Sequence, residues 1–169
     1  MFRDLKADEI DVRIAQIGDN WISLLLYKDA RVDMDILDET VGAMNWKRSH
    51  TRDNANCVIE IWDETKNQWI SKEDTGTESF TEKEKGLASD SFKRAGFNWG
   101  IGRELYTAPK IFIKQENEDG INYETKEVKG KTQCKTTFYV EAIQITDKVI
   151  TGLSIKNNKG KRVFVYKKG

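Results

Sequence analysis

The chain has 169 residues, 28 Lys and Arg balanced by 28 Asp and Glu, 33% charged and 38% hydrophobic residues. That length supports one domain with a real core. No window approaches the roughly 18 apolar residues of a membrane-spanning helix, and Met1–Lys6 lacks the apolar run of a signal peptide, so a cytoplasmic protein is expected. Two distant cysteines, Cys57 and Cys134, suit unpaired thiols, and one His with two Cys is too few for a zinc site.

The neutral total hides an asymmetry. From Lys126 to Gly169 there are eleven Lys and Arg against three Asp and Glu, a net of +8, so the first 125 residues carry −8. A basic C-terminal surface suits a polyanion. Acidic and basic regions that face one another, within or between subunits, account for the same numbers.

In chain order, Leu5 to Ile17 predicts a short helix, with Asp8 and Glu9 near its positive end. Trp21 to Tyr27 is unbroken and apolar, which predicts a buried strand. Val32 to Val41 has helical spacing, with Asp33 as its cap and Gly42 as its stop. Three strands follow: Trp46 to Arg52, Cys57 to Trp62, and Gln68 to Gly76, separated by Asp53–Asn56 and Asp63–Asn67 turns. Two-residue alternation places Trp46, Arg48, His50 and Arg52 on one face.

The main helix begins at Thr81, where Thr81 and Glu84 form a capping box. Leu87, Ala88, Ser91, Phe92, Ala95 and Trp99 make its packing side. Lys83, Asp90, Lys93 and Arg94 make its wet side, and Asn98–Gly102 ends it. Ala108 to Lys114 predicts a strand. Lys114 to Lys135 is polar, which predicts a flexible charged loop with partial disorder. Strands at Thr136–Thr146, Val149–Ile155 and Arg162–Tyr166 complete the chain. The expected class is α+β: a three-stranded antiparallel meander packed on a long helix, with additional C-terminal β-strands.

The chemistry points away from nucleotide-driven catalysis. There is no Gly-x-x-x-x-Gly-Lys-Ser/Thr loop, and Gly96–Gly102 follows a helix instead of opening one. His50, among cations, is a poor general base. Nucleic-acid binding is better supported. Lys93 and Arg94, with Lys83, Arg31, Arg48, Arg52 and Lys47, can track phosphates without reading sequence, and exposed aromatic rings can stack on unpaired bases.

The pattern Tyr27-Lys-Asp-Ala-Arg31, Leu37-x-Glu39-x-Val-Gly42-x-x-x-Trp46, Asp74-x-Gly76 and Lys83-x-x-x-x-Ala88-x-x-x-x-Lys93-Arg94-Ala95 resembles the annealing domain of the Rad fifty-two (Rad twenty-two) recombination superfamily. It is most similar to that superfamily's short phage and prophage members. The resemblance covers about residues 5 to 113. Phe97 stands where the eukaryotic pattern has a further arginine.

The resemblance implies a β-β-β-α core in 1–113, assembled into homo-oligomeric rings or filaments; outside it, the residues themselves predict a flexible charged loop over 114–135 and a basic β-region over 136–169 of the same domain. It implies ATP-independent binding and annealing of single-stranded DNA in recombination and repair, in a bacterial host or phage-infected cell. Such a protein is not an enzyme, and it needs neither cofactor nor metal. Arg31, Lys93 and Arg94 correspond to the family's groove cations. A cognate exonuclease or a host single-strand-binding protein is the expected partner. Two rival functions remain. One is a magnesium-dependent nuclease using carboxylates such as Asp33, Asp35, Glu60 and Asp63. The other is a non-enzymatic oligomeric assembly module.

Overall fold

A computed structural model describes residues 1–77 and 83–169, without the side chains of Lys83, Glu84 and Lys85. The described residues are α+β, mostly antiparallel strands with two α-helices. In chain order the elements are β1 (Asp11–Ile17), β2 (Trp21–Tyr27), α1 (Ala30–Val41), β3 (Trp46–Thr51), β4 (Asn56–Asp63), β5 (Gln68–Thr75), α2 (Lys83–Asn98) and β6 (Ile111–Lys114). The short pairs β7 (Glu116–Asn117) with β8 (Gly120–Ile121) and β9 (Thr125–Val128) with β10 (Lys131–Cys134) follow. The long strands β11 (Phe138–Thr146), β12 (Val149–Asn157) and β13 (Arg162–Lys167) close the chain. No described helix is long and apolar enough to cross a membrane.

These elements form two compact units. The first contains residues 1–4 and 29–103, and the second contains 5–28 and 104–169. Those bounds differ from a division at residue 113.

In the first unit, β3, β4 and β5 form an antiparallel sheet in that order. Alternation along β4 sends Cys57, Ile59 and Ile61 inward, and all three are buried. From α2, Leu87, Phe92 and Ala95 are buried, and from α1, Ile36 and Leu37. Side-chain bonds tie α2 to strand backbones: Trp99 Nε1 donates to Ile59 O at 3.1 Å, and Asn98 Nδ2 to Glu73 O at 2.8 Å. Gly76, just past β5, lies so close to α2 that a Cβ there would sit 2.7 Å from Ser91 N. The helix α1 is capped by Asp29, whose carboxylate accepts the Arg31 N–H. The expected cap, Asp33, is instead fully buried one turn in. Gly42 ends α1 as expected, at φ 90°. The Thr81 capping box lies outside the described residues.

The second unit is built on a six-stranded antiparallel sheet, ordered β13-β12-β11-β1-β2-β6. Its outer strands β13 and β6 approach one another, so the sheet is partly closed. This sheet is absent from the sequence expectation, which makes residues 5 to 17 a helix. A single 3-10 turn at Ala7–Glu9 is all the helix there is, and Asp11–Ile17 is strand. The reason is period: Val12 and Ile14 turn inward between Asp11 and Arg13, and β2 and β11 supply partners on both sides. Ile22, Leu24, Val140, Leu153 and Ile155 are among the residues buried from the neighbouring strands. Segment 114–135, expected to be a flexible loop, holds two hairpins, one turned at Glu118–Asp119 with Gly120 (φ 111°) opening its second strand, the other turned at Lys129–Gly130 (φ 51° and 76°).

Candidate nucleic-acid interface

The first unit pairs one expected site residue, Arg31, with a carboxylate, and a second, Lys93, acts on that carboxylate through its charge. Asp29 Oδ1 accepts from the Arg31 backbone N–H at 2.8 Å and from Arg31 Nε at 3.1 Å, while Oδ2 accepts from the other guanidinium arm at 3.3 Å. The Arg31 side chain is 84% exposed, so its remaining donors face solvent. The guanidinium and backbone bonds from Arg31 hold the Asp29 carboxyl below its ordinary pKa, and the positive charge of Lys93 adds to that lowering. Lys93 on α2 therefore lies in the field of the α1 cap. The reciprocal effect of Asp29 raises the Arg31 pKa.

Arg94, next to Lys93, is half-buried, and its Nε pairs with Asp90 Oδ2 at 2.9 Å one turn back. The same oxygen accepts the Thr77 backbone N–H at 2.8 Å. Glycine fixes this helix on a second side. A Cβ on Gly96 would collide with the buried Asp33 carboxylate, so α2 and α1 approach here only because residue 96 has no side chain.

The other expected cations are placed differently. Arg48 is exposed, yet its guanidinium lies 4.5 Å over the ring of buried Phe92. Trp46 stacks on Phe92 from 6.1 Å and donates to Asp38 at 2.6 Å. Alternation thus holds from Trp46 to His50, with this face turned to α2. Arg52 has left the strand, beginning three consecutive residues at positive φ. The Lys83 side chain lies outside the described residues. Lys47 lies 4.4 Å over Trp69 and 3.4 Å from Glu60. His50 Nδ1 is 3.4 Å from Ser91 Oγ, and burial, then the Arg48 charge, lowers its pKa. A ring kept neutral in this way adds no cation near pH 7.

Two further cations serve the helix itself. Lys72 Nζ donates to Asn98 O at 3.0 Å, and Arg103 donates to Phe97 O and Asn98 O, so both complete the negative C-terminal end of α2. Sequence reasoning missed this use. It also missed Asp29, although an Asp two residues before Arg31 at a helix start is a recognisable N-cap signal. Among the described residues, no three His, Cys, Asp or Glu side chains converge as a metal site. Comparison with family models, curated proteins and solved structures finds no match.

Proposed function

We propose that this chain binds single-stranded DNA and anneals complementary strands without ATP. The observation that carries the reading is the exposed Arg31 held by Asp29 at the start of α1, with the charge of Lys93 on α2 felt at that carboxylate and Arg94 next to Lys93 on α2. Cations on a rigid helix hold phosphates and leave base edges unread, which is what strand pairing needs. Gly76 and Gly96 supply the rigidity by letting the α2 backbone lie close to its neighbours.

The finer architecture, a β-β-β-α annealing core, belongs to the same proposal. The bonds from Asn98 and Trp99 of α2 to β5 and β4 support it. Assembly into a homo-oligomeric ring or filament would place many weak sites side by side and turn modest affinity into tight binding by avidity. A cognate exonuclease or a host single-strand-binding protein is the proposed partner, in the cytoplasm of a bacterial host or phage-infected cell.

The test mixes two complementary labelled oligonucleotides without ATP. Wild type should accelerate their pairing, and the Lys93→Ala/Arg94→Ala double variant should lose about tenfold or more of that acceleration through lost phosphate contacts. Equal acceleration by the double variant overturns the reading. Shortened DNA after magnesium is added would replace annealing with nuclease activity.

A further inference from the structure

The six-stranded sheet buries one face and bares the other. Strand registry makes a crosswise row on the bare face: Tyr27, Asp11, Tyr139, Lys156 and Arg162, each the partner of the next across β2, β1, β11, β12 and β13. The two tyrosines are 38% and 47% exposed. They stand two strands apart, about 10 Å, within reach of one short polymer. Arg13, the next outward residue of β1, holds its guanidinium 5.9 Å from the centre of the Tyr27 ring.

The row ends in a braced charge cluster. A register shift in β11 turns Glu141 outward as an extra residue. Arg162 grips it with two bonds of 2.7 Å, and Lys156 lies 3.2 Å away. Nearer β6, Trp21 and Phe112 meet edge to face at 5.6 Å and border a cleft of about 500 Å³ lined also by Asn20, Ile113 and Lys114. Phe112 is 55% exposed. The indole of Trp21 is seated over Gly18, where any Cβ would collide with it.

We propose that this open sheet face is a second binding surface for single-stranded nucleic acid, with unpaired bases stacking on Tyr27, Tyr139 and the Trp21–Phe112 cleft, and with Arg13 and Lys114 on phosphates. It uses none of Arg31, Lys93 and Arg94. Tyr27 and Tyr139, bared among charges, and the exposed Trp21–Phe112 pair suit bases, each of which offers a flat face, and a paired duplex does not expose such faces. The charge balance selects a polyanion. Lys114 and Lys167 join Arg13, Lys156 and Arg162 on this face, against the carboxylates Asp11 and Glu141. A second copy docking face to face would set this cation excess against itself.

The experiment cross-links the full chain to a 5-iodouracil oligonucleotide and maps the peptides. In parallel, anisotropy of a labelled oligonucleotide gives affinities for wild type, Phe112→Ala, Tyr139→Ala and Tyr139→Phe, with melting curves and mass by light scattering. Cross-links should fall in peptides spanning residues 11–27 and 112–139, and they should persist in Lys93→Ala/Arg94→Ala. Each alanine variant should weaken single-strand binding about fivefold or more, while Tyr139→Phe, which keeps the ring, binds as wild type. Cross-links confined to residues 29–103 overturn the proposal, as does duplex competitor that displaces as well as single strand. Alanine variants that change the mass but not the affinity make the face a subunit contact and overturn it too. These failures leave the annealing test on Lys93 and Arg94 untouched, so the two readings fall separately.

Discussion

Phe92 and Phe112 are one residue type in two kinds of sheet surroundings. Phe92 is fully buried, with Trp46 stacked on it and Arg48 above it, so its ring supports the Arg48 guanidinium. Phe112 is more than half exposed beside Trp21 on the second unit's sheet, so its ring is open to solvent and, in the proposed second surface, free to meet a base. Burying aromatic rings makes a sheet a support for charged side chains. Baring them makes the sheet a platform. Composition alone does not separate the two uses, because both units combine aromatic residues with Lys and Arg.

Substitution can break this contrast. The largest effect is expected for Phe92→Ala, which empties a core position and should lower stability by about 3–5 kcal/mol, read from the urea midpoint. Phe112→Ala should stay within about 0.5 kcal/mol in the same assay, and equal losses would erase the distinction. Next is Gly76→Ala. Its Cβ would press on the α2 backbone, 2.7 Å from Ser91 N and 3.1 Å from Leu87 O, neither of which can rotate away. A loss of about 2–3 kcal/mol is expected, and an unchanged melting temperature would show that α2 has room to shift.

Asp29→Asn is a smaller and more selective change. Asparagine keeps the N-cap bond, so thermal stability should hold. Removing the charge that pairs with Arg31 should tighten single-strand binding about 2- to 5-fold, the range of exposed ion pairs. Weaker binding would place the DNA elsewhere. A pH-dependent effect concerns Cys57, whose thiol is pushed up by burial from 9.0 to about 11. The folded state therefore keeps a proton that the unfolded state releases, and stability should decline as pH rises from about 9 to about 11. Cys57→Ala should flatten that decline in urea midpoints compared at pH 8 and 10.5.

The strands of the first unit were legible because period-two patterns and turn residues agree there: Cys57, Ile59 and Ile61 alternate between Asp53–Asn56 and Asp63–Asn67. The first strand of the second unit was not. Leu5, Ile10, Ile14 and Ile17 mimic helical spacing, and only pairing with β2 and β11 selects the Val12, Ile14 alternation. Trp21–Tyr27 reads as uniformly buried, yet Leu25 and Tyr27 face outward, because an apolar run does not reveal which side of a sheet is covered. Of the candidate cations, Lys93 and Arg94 were legible as the wet side of a helix. That Arg48 lies over Phe92, and that Lys72 caps α2, depends on contacts between elements far apart in the chain, whereas Arg103 reaches back only five or six residues to the same helix end.

Asp29 also bears on how binding would respond to salt. A phosphate reaching Arg31 and Lys93 in the proposed mode displaces a carboxylate that belongs to the protein, not a mobile ion from solution. Single-strand binding ordinarily loses affinity with a logarithmic slope of about 0.7 per neutralised phosphate. Here part of that exchange happens inside the molecule, so a salt titration would count fewer cations than touch the DNA. Asp29→Asn would restore the missing fraction of the slope.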